Sequence, residues 1–96
     1  MSEESLVVRE NTERSRFELS KGEEIVGFAD YRQNGTDVVV PYVETLRQHR
    51  GHGYGGQLVD GLLAILRADG RTITPQCPFA AGHIRANPAH HDLLTA

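Results

Sequence analysis

Seven consecutive residues, Arg50-Gly51-His52-Gly53-Tyr54-Gly55-Gly56, place four glycines at the head of an amphipathic stretch. Glycine removes side chains from a turn, and a turn that opens a helix points free backbone N–H groups outward. Those donors, backed by the positive end of the helix dipole, suit a diphosphate. The alternative is a glycine-rich strand-to-helix turn that binds nothing. Gly51-x-Gly53-x-x-Gly56 matches the dinucleotide-binding fingerprint, but its context does not. That fold needs the glycines after its first strand and a carboxylate about 20 residues further on. Gln76 stands there instead, and few residues remain for further βα units.

The elements around the turn change period at it. Before it, residues 5–10 (with Leu6, Val7 and Val8), 14–20, 23–33 and 36–45 read as strands. Phe17 and Leu19 alternate with Arg16 and Glu18. Ile25, Gly27, Ala29 and Tyr31 oppose Val26 and Phe28. Lys21-Gly22 reads as a turn, and Asn34-Gly35 predicts a type I′ hairpin. Pro41 removes a ladder donor, which predicts a bulge, a point where the fourth strand leaves its neighbour, or an edge position.

After the turn, Leu58, Val59, Leu62, Leu63, Ile65 and Leu66 give a wide helical stripe that Asp69-Gly70 ends. Residues 71–75 predict a strand. Cys77-Pro78 opens a helix to about Ala86, and Asn87-Pro88 a last short helix through Leu94. The span from Tyr42 to Thr74 has the length of one βαβ crossover, so strands four and five should run parallel. The expected class is α+β: a four-stranded antiparallel meander, a parallel fifth strand and two C-terminal helices.

Ninety-six residues predict a single domain over residues 1–96. A net charge of −3 argues against a nucleic-acid module. Cys77 is the sole cysteine, which excludes a disulfide framework and a multi-cysteine zinc site, and reads as reducing cytoplasm. No apolar run reaches membrane-span length, so no membrane partner is expected. The acidic start, Met1-Ser2-Glu3-Glu4, lacks the features of a signal peptide. None of the five histidines (His49, His52, His83, His90, His91) shows ligand spacing together with a carboxylate or thiol partner, so no metal site is expected.

Arg50-x-x-Gly53-x-Gly55 also matches the R/Q-x-x-G-x-G/A pyrophosphate loop of coenzyme A-dependent acyltransferases. With Glu44-Thr45 before it, and Cys77-Pro78-Phe79-Ala80-Ala81, Ile84-Arg85-Ala86-Asn87-Pro88 and Asp92-Leu93 after it, the sequence resembles the GNAT superfamily. It is most similar to the short stand-alone GNAT-like N-acetyltransferase domains, over roughly residues 5–94. The resemblance implies a V between strands four and five that holds the pantetheine arm of acetyl-CoA. The arm would lie along Tyr42 and Val43, with the pyrophosphate on residues 50–56: Arg50, Gly51, His52, Gly53, Tyr54, Gly55 and Gly56. Acetyl-CoA is then the cosubstrate, an unidentified amine the acceptor, and a monomer the expected state. Many members use a tyrosine after strand five as general acid; the corresponding helix here carries Cys77 and Phe79.

Amide-forming acyl transfer needs a deprotonated amine, a polarised carbonyl and a stabilised leaving thiolate. Glu44 could take the amine proton, or be a solvated strand-end carboxylate. Tyr42 could donate to the carbonyl or wall the cleft. Cys77, at a helix N-terminus, could protonate the thiolate, carry the acyl group or pair with the coenzyme thiol. It could also be an inert buried cap. Arg47, Arg50, His52 and Arg85 are the nearest cations for phosphate. The expected function is acetyl-CoA-dependent N-acetylation by direct attack in a ternary complex. The alternatives are a non-catalytic acyl-CoA binding module, and a protein-interaction domain using the sheet edge at residues 5–20.

Overall fold

The computed structural model describes residues 5–95. The strands are β1 (Leu6–Asn11), β2 (Arg16–Lys21), β3 (Glu24–Asn34), β4 (Asp37–Thr45) and β5 (Thr72–Pro75). The helices are α1 (Tyr54–Asp69) and α2 (Pro78–Arg85), with 3-10 segments at Arg47–His49 and Pro88–Leu93. One sheet has the order β1-β2-β3-β4-β5; its first three pairings are antiparallel and β4–β5 is parallel. This is the expected α+β layout. A parallel Ile73–Leu94 bridge covers part of the outer edge of β5.

The core follows from the two periods. Alternate residues of β2, Phe17 and Leu19, are buried, and Leu58, Val59, Leu62, Leu63 and Leu66 of α1 lie over them. Val38, Val40, Ile73, Ile84 and Leu93 close the far end. Gly70 ends α1 in the left-handed region at φ 70°, and its amide reaches back to Arg67 and Leu66.

Three strand details differ from the expectation. Leu19 pairs with Gly27 but Ser20 with Ile25, so Val26 is an extra residue in β3. That bulge turns Val26 into the core beside Ala29, although strict alternation puts them on opposite faces. The β3–β4 turn falls on Gly35-Thr36, one residue later than expected, because Asn34 pairs with Asp37. Of the two turn residues only Gly35 has positive φ (63°), so the two-residue left-handed pattern of a type I′ turn is not used.

Pro41 is where β4 changes partners. Asp30 pairs with Tyr42 and Arg32 with Val39, so Val40 and Pro41 together oppose Tyr31. Pairing with β5 stops at Val40 opposite Pro75. The amides of Gln76 and Cys77 both donate to the Val40 carbonyl, at 2.9 and 3.1 Å. Beyond Pro41, β4 keeps only β3 as a ladder partner, and its other edge opens.

Arg71 ties the sheet edge to the α1–β5 junction. It donates to Glu10 on β1 (2.7 and 3.2 Å), to Asp69 (2.7 Å) and to Gln33 (3.0 Å). Glu10 also accepts from the Tyr31 hydroxyl. The Arg71 hydrogen bonds hold the Glu10 carboxyl below its usual value; burial opposes them and the Tyr31 bond assists. A carboxyl with a depressed folded pKa stabilises above its unfolded pKa and loses that contribution as pH falls through the folded value. Arg71→Ala is therefore expected to cost about 1–2 kcal/mol at neutral pH, since both partners are mostly covered but not sealed from water. Urea denaturation at pH 7 and pH 4 checks it: the loss should shrink at the acid end.

Candidate active site

The glycine segment crosses from the open edge of β4 to the head of α1. Gly51 and Gly53 sit at φ 87° and 75°, where a side chain would strain the backbone. Gly53 is the N-cap of α1 and offers no capping side chain, and the first turn carries no acidic residue. Among the described residues, no protein acceptor takes the backbone N–H groups of Gly51 through Gly56. The positive end of a 16-residue helix is thus left uncompensated.

Gly55 and Gly56 are glycine for a different reason, which is space. A Cβ on Gly55 would lie 2.9 Å from the Phe79 ring, and one on Gly56 3.1 Å from Cε1 of His83. A side chain at Gly55 would have to displace the Phe79 ring, whereas one at Gly56 needs His83 to give by only a few tenths of an ångström.

Between these parts lies an open cleft of about 420 Å³. One wall is β4 from Tyr42 to Thr45, the floor is the glycine turn with Arg50 and Tyr54, and the far wall is Phe79. Of the expected binding residues, Tyr42, Val43, Arg50, Gly51, Gly53, Tyr54, Gly55 and Gly56 line it, as does Glu44. His52 is not a lining residue; its ring stacks on Tyr54 at 5.3 Å. Arg50 donates from Nε to the Thr45 carbonyl at 3.0 Å, which fixes the turn against the strand end. Arg47 and Arg85 are exposed and do not line the cleft.

The Tyr42 hydroxyl donates to Glu44 within the cleft wall. That hydrogen bond, with the carboxylate's charge, raises the Tyr42 pKa. Tyr42 is thereby a poorer acid and a better support, orienting Glu44.

Cys77 stands at the N-cap of α2, as expected, but makes no side-chain capping bond. It is 7 % exposed, belongs to the core cluster and does not line the cleft. Of the readings open for Cys77, this placement is that of a buried residue packed as a small apolar group. Phe79 and Thr45 are lining residues that the sequence does not single out as binding residues. A half-exposed aromatic just after a helix-opening proline is the available signal for Phe79.

The histidines also depart from expectation, because several do have carboxylate partners. His49 meets Glu24 at 2.9 Å. His83 and His90 meet the same oxygen of Asp60 at 2.8 and 3.1 Å. Burial pushes the Asp60 carboxyl up, but these hydrogen bonds outweigh it and hold it below its usual value. The three residues come from α1, α2 and the last 3-10 segment, so linear ligand spacing could not reveal them.

A parallel strand added to a meander, with a strand edge opening onto unpaired amides at a helix head, is the layout expected of a GNAT-like domain. A family model described as GCN5-related N-acetyl-transferase matches residues 16–93. The chain belongs to that family. It is 34 % identical over 61 residues to a histone acetyltransferase, ESA1, of Yarrowia lipolytica, a match that covers 62 % of this chain and 13 % of that protein. The chain therefore spans only a small part of that relative's length.

A GCN5-like putative N-acetyltransferase of Staphylococcus aureus superposes with a TM-score of 0.72 at 16 % identity, over 100 % of this chain and 92 % of the other. The ribosomal-protein-S18-alanine N-acetyltransferase of Escherichia coli gives 0.61 at 14 % identity, over 74 % and 49 %. At such identities the two structures show the shared fold.

Proposed function

We propose that this chain transfers an acetyl group from acetyl-CoA to a primary amine by direct attack in a ternary complex. The observation that carries the reading is the row of unpaired amides at Gly51–Gly56, opening on the same cleft as the free edge of β4. Those amides and the helix dipole receive the pyrophosphate, with Arg50 as the nearest cation. The pantetheine amides lie along Tyr42 and Val43 as an added strand would. Glu44, oriented by Tyr42, accepts the amine proton, directly or through one water. The amine nitrogen bonds to the thioester carbonyl carbon, the C–S bond breaks, and the coenzyme leaves as thiolate to be protonated from solvent. We assign no covalent role to Cys77, whose thiol is mostly buried and is not among the cleft-lining residues.

Backbone amide NMR during an acetyl-CoA titration, followed by a screen of amines for thiol release, tests this reading. Shifts concentrated at Gly51–Gly56 are expected. Glu44→Gln should keep those shifts and lower kcat about 100-fold, the lower end of what a general base contributes. Cys77→Ala should keep turnover. No shift at millimolar acetyl-CoA overturns the proposal. Shifts without thiol release from any amine reduce it to an acyl-CoA binding module.

A further inference from the structure

Among the described residues outside the cleft, Asp60, His83 and His90 form a group of metal-ligating side chains. We propose that these three residues form a binding site for a divalent transition metal, with zinc the best match.

Convergence is the first argument. Both imidazole Nε2 atoms approach a single carboxylate oxygen, Oδ1 of Asp60, at 2.8 and 3.1 Å. One ligand atom from each residue lies within 4.8 Å of the others. A tetrahedral ion with bonds of about 2.0–2.1 Å separates its ligand atoms by roughly 3.3 Å. To accept an ion, each imidazole nitrogen must draw back from the carboxylate oxygen by a few tenths of an ångström, and the two nitrogens, within 4.8 Å of each other, must settle at the same ligand spacing.

Rigidity is the second argument. The His83 and His90 rings stack at 6.4 Å, and His83 stacks on Phe79 at 6.1 Å, so the imidazoles are already oriented. Asp60 sits in the middle of α1, His83 lies within α2 and His90 in the closing 3-10 segment. The ligands thus come from three elements with fixed backbones, not from a loose loop.

The donor set decides the metal. Two imidazoles and one carboxylate suit zinc, cobalt or nickel and not calcium or magnesium, which prefer all-oxygen shells. Three protein ligands leave a fourth position for water or another donor. Asp60 and His90 also line an open groove along α1, so an ion can enter from solvent. In the metal-free protein each Nε2 carries the proton donated to Asp60. Coordination requires the other tautomer, with the proton on Nδ1 and the Nε2 lone pair on the metal.

An ion there would join α1, α2 and the C-terminal segment at one point, and binding to the folded chain alone would stabilise it. It would also fix His83 behind Phe79, the far wall of the cleft.

Calorimetric titration of the untagged, metal-stripped protein with zinc chloride, repeated with cobalt chloride followed by visible absorption, tests the site. One ion per chain at micromolar affinity or tighter is expected, with a tetrahedral cobalt spectrum and a raised Tm. Asp60→Asn, His83→Ala and His90→Ala should each weaken binding at least tenfold, and His91→Ala should not. NMR of the imidazole nitrogens supplies a readout free of mutation: zinc should shift Nε2 of His83 and His90 in the unaltered chain. Absence of saturable binding overturns the proposal. So does binding that survives the Asp60 and His90 substitutions, or imidazole shifts confined to other histidines.

Discussion

Replacing Gly56 with aspartate is expected to weaken acetyl-CoA binding about 1,000-fold while leaving the domain folded. Gly56 is the third residue of α1 and has no positive φ, so its backbone accepts any side chain. An acidic residue in a first helical turn is favoured by the dipole, and this turn has none. The new Cβ would stand 3.1 Å from Cε1 of His83, a partly exposed ring that can yield by a few tenths of an ångström. Folding should therefore be preserved. Binding should not, because the new carboxylate sets a negative charge beside the amides proposed to receive the pyrophosphate. Two unit charges about 4 Å apart near a protein surface repel by about 4 kcal/mol, which is about 1,000-fold in affinity. Gly56→Ala adds the same Cβ without the charge and separates the two effects. Calorimetry with acetyl-CoA and thermal denaturation of all three proteins measure both sides. A Gly56→Asp chain that binds like the parent would show that the diphosphate does not rest on this turn.

That variant tests the part of the site that is legible from residue types alone. The turn is readable because glycines before an amphipathic run have few physical meanings, and the change of period on either side fixes what they connect. The strand order is readable for a similar reason, since Tyr42 to Thr74 can close only one crossover. What stays hidden depends on packing in three dimensions. Val26 reaches the core because a bulge adds a residue opposite β2, and no alternation count contains a bulge. His52 carries a cation-capable ring in the loop, yet stacking on Tyr54 takes it off the cleft lining. Cys77 occupies its expected backbone position, but a cap position does not say which way the thiol faces, and here the core takes it. His83 and His90 stand 23 and 30 residues after Asp60 along the chain, and the three meet only when α2 and the closing segment fold onto α1.

Gly61→Ala should destabilise the domain by about 3 kcal/mol, against the sign that helix propensity gives. In an exposed helix the change would add about 1 kcal/mol of stability, because alanine loses less backbone entropy than glycine. Gly61 is not on an open face. A Cβ there would lie 2.2 Å from Cγ2 of Val8 and 2.6 Å from its Cβ, so α1 and β1 cannot keep their separation. β1 is the edge strand with β2 as its ladder partner, so it is the element that must move. Moving it also strains the Glu10–Arg71 pair that anchors it to the far end of the sheet. Val8→Ala removes both methyls but leaves the 2.6 Å Cβ contact, so the double variant should recover only part of the loss. Urea denaturation of the parent, both single variants and the double variant closes the cycle. A Gly61→Ala chain more stable than the parent would mean that α1 stands further from β1 than this packing requires. An additive double variant would mean that the cost arises somewhere other than Val8.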